Sequence, residues 1–230
     1  KNPYFQIFSM NLEDGSTKLL STGLGKTTCS WFHPTEKKAM FASTHLDRDF
    51  KKKAEAEFSE RKSPTKHRYA WDYDENYDLF ESSLDGKILK RLTKEKGYDA
   101  EGNYSPDGKE IVFASNRTGY TEKLSEDDQK IFDKDQSLFM DIYIMNSDGR
   151  NVRRLTDARG YDGGPFFSSD GKKIIWRRFT ENGQIAEVYT MDRDGKNQKQ
   201  VTKMGMMSWA PFFHPTGDYI IFASNKFGYQ

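Results

Sequence analysis

A hairpin motif occurs four times along the chain and limits the folds that it can adopt. Each copy has an apolar or aromatic run, a turn built on Pro-Asp-Gly, Pro-Thr-Gly or a close variant, and a second apolar run. The four copies begin at Trp31, Tyr104, Phe167 and Phe213. Because proline presets φ and glycine accepts φ > 0, each motif predicts two strands joined by a tight turn.

A second hairpin motif alternates with the first. Its turn is Asp-Gly, which is typical of β-hairpins. The copies begin at Tyr4, Tyr77, Asp141 and Ala186. Three of the four are followed by a short run that ends in Leu-Thr or Val-Thr, which predicts one more strand after each turn.

The spacing of the turns shows one underlying repeat. Gly171 follows Gly108 by 63 residues, and Gly217 follows Gly171 by 46 residues. The Asp-Gly turns at Gly86, Gly149 and Gly195 show the same two intervals. A period near 46 residues with four strands per unit is typical of a β-propeller blade. Since one four-stranded sheet cannot cover both of its faces, neighbouring sheets must stack radially, and we predict an all-β propeller.

Composition agrees with this fold and excludes several classes of function. Aromatic residues make up 14% of the 230-residue chain, which suits aromatic-rich β-structure. Lys+Arg 36 against Asp+Glu 35 gives a net charge of +1, so we expect no nucleic-acid partner. The single cysteine, Cys29, excludes an internal disulfide framework and a cysteine-based zinc site. No apolar run approaches the roughly 20 residues of a membrane span.

The order of the motifs leaves two arrangements open. With strands a to d numbered from the axis outward, the chain begins with a c–d hairpin over about residues 4–22 and continues through three full blades. It ends with an a–b hairpin over about residues 209–224. The two outer hairpins could share one blade and close a four-bladed ring, or residues 1–230 could be a single propeller region within a larger propeller. We predict the second arrangement, in a processed or truncated chain, and expect the two hairpins not to pair.

Two insertions interrupt the repeat between strands b and c, at residues 45–76 and 118–140. The first predicts a short amphipathic helix, since Phe50 and Phe58 fall on one face. The second predicts a helix with Ser125 as its N-cap. Both should emerge on the same rim, either as surface helices that cover blade edges or as a rim that docks a partner or gates a substrate.

The repeat resembles a known family. The runs Ser105–Arg117, Asp141–Gly149 and Arg154–Thr156 are similar to the WD40-like repeat of TolB-type propellers. The resemblance covers nearly the whole chain outside the insertions. It implies the fold strongly and the function weakly, because propellers carry many functions.

A narrower resemblance concerns the second half of the chain. The runs Tyr161–Phe167, Ile175–Phe179 and Ser208–Pro215 resemble propeller regions of large bacterial secreted proteins, in which such a propeller often lies beside a zinc aminopeptidase-type domain. The resemblance implies a periplasmic or secreted location. It also implies a peptidase domain of the same parent protein as a possible partner.

Signatures of catalysis, cofactor binding and metal binding are missing from the sequence. His33 and His214 occupy the same repeat position before a proline, which favours turn or inter-blade packing over a ligand role. His45 and His67 lie in or beside the first insertion, where we expect a solvated loop. We therefore predict no catalytic residue, no metal and no cofactor.

The mouth of the central channel is the best candidate for a binding site. The segments that lead into strand a place three acids there, with aromatic residues beside them: Asp99, Glu101, Asp162, Tyr98, Tyr161 and Trp209. Such a cluster could hold a cation or a cationic peptide group. Alternatively, the aspartates could cap backbone amides at the start of each strand. We expect Cys29 to be a small buried residue of the same layer and not a nucleophile.

The sequence thus predicts a non-catalytic TolB-like propeller module that binds a protein or peptide. The alternative is an accessory propeller that positions substrate for a secreted metallopeptidase whose catalytic domain lies outside this chain. A third possibility is structural packing in a cell-envelope assembly.

Overall fold

The structure, a computed structural model, describes residues 2–63 and 73–228. The described strands form five antiparallel sheets, three with four strands and two with two strands. Within each four-stranded sheet the strands pair in the order in which they follow along the chain. This confirms the predicted fold class, a propeller of four-stranded blades.

The strands follow the two alternating hairpin motifs. The first hairpin contains β1 (Phe8–Met10) and β2 (Thr17–Leu19). The first blade contains β3 (Thr27–Phe32), β4 (Lys38–Ser43), β5 (Asp78–Ser83) and β6 (Ile88–Arg91). The second contains β7 (Ala100–Tyr104), β8 (Glu110–Ser115), β9 (Asp141–Asn146) and β10 (Arg153–Arg154). The third contains β11 (Asp162–Phe167), β12 (Lys173–Phe179), β13 (Ala186–Asp192) and β14 (Lys199–Gln200). The last hairpin contains β15 (Ser208–Phe213) and β16 (Ile220–Ser224).

Both predicted helical insertions are confirmed. The helices are α1 (Phe50–Arg61), α2 (Thr118–Thr121) and α3 (Glu126–Lys134), followed by a 3₁₀-helix (Gln136–Phe139). The Ser125 hydroxyl accepts the N–H of Asp128 and caps α3 as predicted. Within the described ranges, no helix has the length and apolar character needed to cross a membrane. Part of the first insertion, including His67, lies outside the described residues.

The serine of the Ser-Pro-Asp-Gly motif closes the a–b turn. The Ser105 hydroxyl donates to Asp107 Oδ1 at 2.6 Å and accepts the N–H of Glu110 at 3.0 Å. Ser168 and Asp170 make the same pair in the next blade, at 2.7 Å. The side chains therefore satisfy backbone groups that a tight turn leaves unpaired.

The Arg-Leu-Thr motif ties strand d to strand c. Thr93 Oγ1 accepts the N–H of Leu79 in β5 at 2.9 Å. The Arg91 guanidinium pairs with Asp78 at 2.6 Å. Thr156 repeats the first contact in the second blade, at 2.9 Å, so the motif has a structural role in each blade.

The glycines of the Asp-Gly turns in the three blades pack against the preceding blade or hairpin, whereas Gly15 of the first hairpin meets no atom within 4 Å. Gly149 has φ +83, and a Cβ there would lie 2.5 Å from the carbonyl oxygen of Leu92. Gly86 meets the backbone of Leu19 in the same way, and Gly195 has φ +91. Glycine is thus required both for the left-handed backbone and for the close approach of neighbouring blades.

The core lies between neighbouring blades, on their middle strands. Large, fully buried side chains on strands b and c include Trp176, Phe41, Phe80, Phe113, Ile111 and Ile142. Tyr98 and Leu20 are also fully buried but lie outside these strands. The middle strands of each blade therefore carry most of the buried apolar surface, which dominates stability in such a fold.

The histidines lie in three different environments. His33 is buried, and its Nε2 lies 3.2 Å from the carbonyl oxygen of Gly108 in the next blade, which is inter-blade packing as predicted. His214 is exposed and its ring contacts Thr216 within the turn. The expected solvated environment of His45 is wrong. Its ring is half-buried, with its centroid 4.2 Å from that of Phe80, because it lies only two residues beyond the end of the buried strand β4.

The first and last hairpins form separate two-stranded sheets in the described residues, as expected. Large apolar side chains are exposed on both hairpins: Phe8, Met10 and Leu12 on the first, and Tyr219, Ile221 and Phe227 on the last. That the chain belongs to a larger propeller stays a prediction.

Candidate functional site

Each innermost strand contains one residue in the left-handed region at the same position. These residues are Cys29, Glu101, Gly164 and Ala210, with φ values of 44°, 57°, 60° and 48°. The strand register shifts beside each of them, which marks a β-bulge. Three of the four are not glycine, and this backbone conformation costs about 1–2 kcal/mol for such residues. Strain repeated at one position of every innermost strand identifies the bulges as a candidate site.

Glu101 is the centre of the hydrogen-bond network at the bulges. Its carboxylate accepts the hydroxyl of Tyr161 at 2.9 Å and the N–H of Gly164 at 2.5 Å. Arg177 Nη2 donates to the same carboxylate at 3.0 Å. Glu101 thereby links the second blade to the third, and its charge is balanced by a buried arginine.

Arg177 extends this network to the last hairpin. Its guanidinium carbon lies 4.1 Å from the ring centroid of Trp209, a cation–π contact. A Cβ at Gly164 would lie 2.1 Å from Arg177 Nη1, so only glycine leaves room for the guanidinium. Burial alone would lower the pKa of Arg177, but the charge of Glu101 and its hydrogen bond to the guanidinium outweigh burial and raise it. The guanidinium is therefore charged, and its Nε is buried without a hydrogen-bond partner.

Three aromatic side chains meet beside these groups, one from each of three innermost strands. The ring centroids of Trp31 and Phe166 are 5.5 Å apart, and those of Phe166 and Phe212 are 5.3 Å apart. Asn103 occupies the equivalent position of the remaining strand, and its side chain accepts the N–H of Phe167 at 3.1 Å. Contact between the innermost strands of two blades and of the last hairpin places the cluster near the propeller axis. Phe212 is 39% exposed, so part of this apolar surface is accessible.

The expectation that Cys29 is buried is wrong. The residue is exposed, because the bulge turns its side chain out of the sheet. The surrounding protein nevertheless desolvates the thiol and, together with the charge of Glu101, raises its pKa to about 11. The thiol is therefore protonated near neutral pH and is a poor nucleophile, as predicted.

Two of the three predicted acids are paired inside the blades. Asp99 accepts Arg117 Nη2 at 2.6 Å, and Asp162 accepts both Nε and Nη2 of Arg178 at 2.7 and 2.6 Å. Both aspartates are fully buried. Burial raises the pKa of each, and its arginine opposes the shift. The acids thus do not share one unneutralised cluster; only Glu101 joins the network at the bulges.

The two predicted tyrosines differ in role. Tyr161 stacks on Phe179 with ring centroids 5.6 Å apart and donates its hydroxyl to Glu101. Tyr98 is fully buried against Tyr77, with ring centroids 5.1 Å apart. Tyr98 therefore supports the site from behind, whereas Tyr161 is part of it.

Sequence reasoning missed the arginines. Arg177 and Arg178 are consecutive and follow the apolar run Ile174–Trp176 in β12, and Arg117 follows the second strand of the preceding blade. Two adjacent guanidinium groups in a buried strand need carboxylate partners, so the Arg-Arg pair in the sequence could have predicted that the nearby acids form ion pairs. In the described ranges, no group of three or more His, Cys, Asp and Glu side chains could hold a metal ion.

Solved structures show the fold. The chain matches a putative TolB from Agrobacterium tumefaciens with a TM-score of 0.63 and 20% identity, covering 95% of this chain and 62% of that one. It matches TolB from Acinetobacter baumannii with a TM-score of 0.63 and 18% identity, covering 94% and 42%. The chain therefore has the fold of TolB-like β-propellers. Oligogalacturonate lyase in complex with manganese has a similar fold (TM-score 0.56, 16% identity, covering 97% and 51%), so the fold alone does not fix a function.

Sequence comparison supports the same resemblance. A TolB homolog from Chlorobium luteolum is 26% identical over 126 residues, which cover 43% of this chain and 28% of that protein. The match thus spans less than a third of that relative's length. No protein-family model matches the chain. The predicted association with a peptidase domain stays a prediction.

Proposed function

We propose that this chain is a non-catalytic module that binds a protein or peptide at the channel mouth, in the periplasm or outside the cell. The resemblance to TolB-like propellers supports the class of function and the location. The surface offered to the ligand is the exposed part of Trp209 and of the aromatic cluster beside it, and Glu101, Tyr161 and Arg177 support this surface from below.

The observation that carries the proposal is the contact between Trp209 and Arg177. Trp209 is 42% exposed although its ring covers a buried, charged guanidinium. Arg177 Nε has no hydrogen-bond partner, and a buried unpaired donor is costly unless a ligand or water accepts it. A peptide that places an apolar side chain on Trp209 covers the exposed part of the ring, which the buried guanidinium of Arg177 holds in place from the other side.

Charge argues for this ligand over the cationic one predicted from the sequence. Glu101 is paired with Arg177, and Asp99 and Asp162 are paired with arginines of their own. The acids therefore attract a cation weakly. The exposed aromatic surface of Trp209 and Phe212 is the stronger determinant, because buried aromatic contacts dominate peptide interfaces.

Selection of displayed random peptides on the immobilised protein tests the proposal. We expect enriched peptides to contain an aromatic or large aliphatic residue and to lose affinity about tenfold or more for Trp209→Ala. Tyr219→Ala is the matched control, because Tyr219 is an exposed aromatic residue of the same hairpin that is 71% exposed and outside the cluster. Absence of enriched peptides, or equal binding to both variants, would contradict the proposal.

A further inference from the structure

A cavity of about 820 Å³ lies between the second insertion and the third blade. One wall is α3 with the 3₁₀-helix that follows, and the other is the turn between β12 and β13. Ile131, Leu138, Tyr161 and Phe179 provide apolar surface. This volume is within the range of about 300–1,000 Å³ found for ligand pockets.

The helical wall is fixed in place by contacts below it. Phe132 is buried, and its ring packs edge-on against Tyr120 and Phe139 with centroids 4.9 and 5.3 Å away. Arg159 pairs with Asp128 at the start of the helix. The cavity is thus formed without a ligand, so a ligand need not order this insertion when it binds.

Two charged side chains of opposite sign line the cavity without partners. Lys134 projects from α3 and Glu181 from the facing turn, and neither makes a hydrogen bond or ion pair within the described residues. The other charged groups there are already engaged. Lys130 pairs with Asp127 at 3.1 Å, and Asp135 accepts the N–H of Ser137 at 2.9 Å. Among the described residues, the lining therefore includes one unpaired cation on the helix and one unpaired anion on the turn, beside the apolar residues that form its floor.

We propose that this cavity binds a short peptide segment in which an apolar side chain lies between an acidic and a basic group. The apolar side chain lies on the floor, the acid pairs with Lys134 and the base pairs with Glu181. The site is additional to the channel mouth. The two are adjacent, because the Tyr161 ring lines the cavity while its hydroxyl donates to Glu101 at the mouth.

Calorimetric titration with the blocked tripeptide acetyl-Glu-Leu-Lys-amide tests this proposal. We expect saturable binding that weakens about fivefold for Lys134→Glu and for Glu181→Lys, since each change replaces an attraction by a repulsion. Ile131→Asp should weaken binding about tenfold by removing apolar floor. The control Lys199→Glu makes the same charge change at an exposed lysine outside the cavity and should bind like the unchanged protein.

A second set of measurements separates the two sites. Acetyl-Glu-Gly-Lys-amide should bind about tenfold more weakly than the leucine peptide if the floor holds the apolar side chain. Phe212→Ala, a change in the aromatic cluster at the mouth whose ring contacts Trp31 and Phe166 and no cavity residue, should leave titration of the leucine peptide unchanged. Loss of binding in that variant would place the peptide at the mouth and overturn the cavity proposal. No saturable binding, or equal binding by all cavity variants, would also overturn it. Self-association abolished by Lys134→Glu would assign the cavity to a second copy of the chain instead.

Discussion

The carboxylate of Glu101 accepts the backbone N–H of Gly164, and the two residues occupy the same position in neighbouring innermost strands. The bulge at Gly164 takes its N–H out of the hydrogen bonding between β11 and β12, and the Glu101 side chain from the neighbouring bulge accepts this N–H instead. At Gly164 the sequence has no side chain, and Arg177 fills the space that one would occupy. The strained positions of successive blades are therefore coupled to each other and to Trp209.

This coupling predicts a large loss of stability for Glu101→Ala. The change leaves the buried charge of Arg177 and the N–H of Gly164 without their acceptor, and breaking such a buried pair costs about 3–5 kcal/mol. Glu101→Gln keeps the acceptor oxygen and should cost less. Urea unfolding measures both free energies, with the exposed Glu181→Ala expected to change stability by less than about 0.5 kcal/mol. A cost below about 1 kcal/mol for Glu101→Ala would show that Arg177 does not depend on this carboxylate.

The blades could be predicted from the sequence because their determinants are local. The Ser-Pro-Asp-Gly and Asp-Gly turns satisfy their own backbone groups, as the contacts of Ser105 and Ser168 show. Their repetition at fixed intervals then implies the stacking of sheets. The close contact between Gly149 and Leu92 could not be predicted in this way, because it depends on how tightly two blades pack.

The glycine contact gives a second prediction. Gly149→Ala places a Cβ 2.5 Å from the carbonyl oxygen of Leu92, so the blades must separate. Gly183→Ala meets no atom within 4 Å, although its φ of +67 imposes similar backbone strain. We expect the free energy of unfolding to fall by about 1 kcal/mol for Gly183→Ala and by about 2–4 kcal/mol for Gly149→Ala, measured by thermal or urea unfolding. Equal costs would mean that the glycine is needed for its backbone conformation alone.

The candidate site was only partly predictable. The position of Glu101, Tyr161 and Trp209 at one end of the innermost strands follows from the alignment of repeats. The alignment does not show that Asp162 is neutralised by an ion pair. Its partner Arg178 comes from the next strand, and the pairing register of the two strands brings them together. A carboxylate that pairs with an arginine within its blade cannot be told from a free one by its place in the repeat.

The ion pair of Asp162 therefore predicts a structural role. Asp162→Asn should lower the free energy of unfolding by about 3 kcal/mol, because it leaves the guanidinium of Arg178 without a charged partner in a buried site. Adding Arg178→Met should recover part of this loss, since replacing both partners is much less costly than removing one. A double-mutant cycle measures the difference. Unchanged stability with loss of peptide binding at the mouth would instead support the functional acidic cluster predicted from the sequence.

The environment of His45 predicts how its contribution to stability depends on pH. Its ring lies against Phe80 and its Nδ1 is 3.0 Å from the Ser43 hydroxyl. Burial, and then the charge of Arg91, lowers the pKa of His45 below its usual value of 6.5. The folded protein thus favours the neutral ring, and protonation of the unfolded chain shifts the equilibrium toward unfolding as pH falls through 6.5.

Comparison with His45→Gln isolates this effect, because glutamine does not titrate. The stability of the unchanged protein relative to the variant should be constant above about pH 7.5 and should fall on acidification, by at most about 1.4 kcal/mol at pH 5.5. Urea unfolding at both pH values gives the difference, and pairing the two proteins cancels the carboxylates that titrate in the same range. If the unchanged protein instead became more stable relative to His45→Gln on acidification to pH 5.5, folding would favour the protonated ring. The pKa of His45 would then be raised in the folded protein, contrary to this prediction.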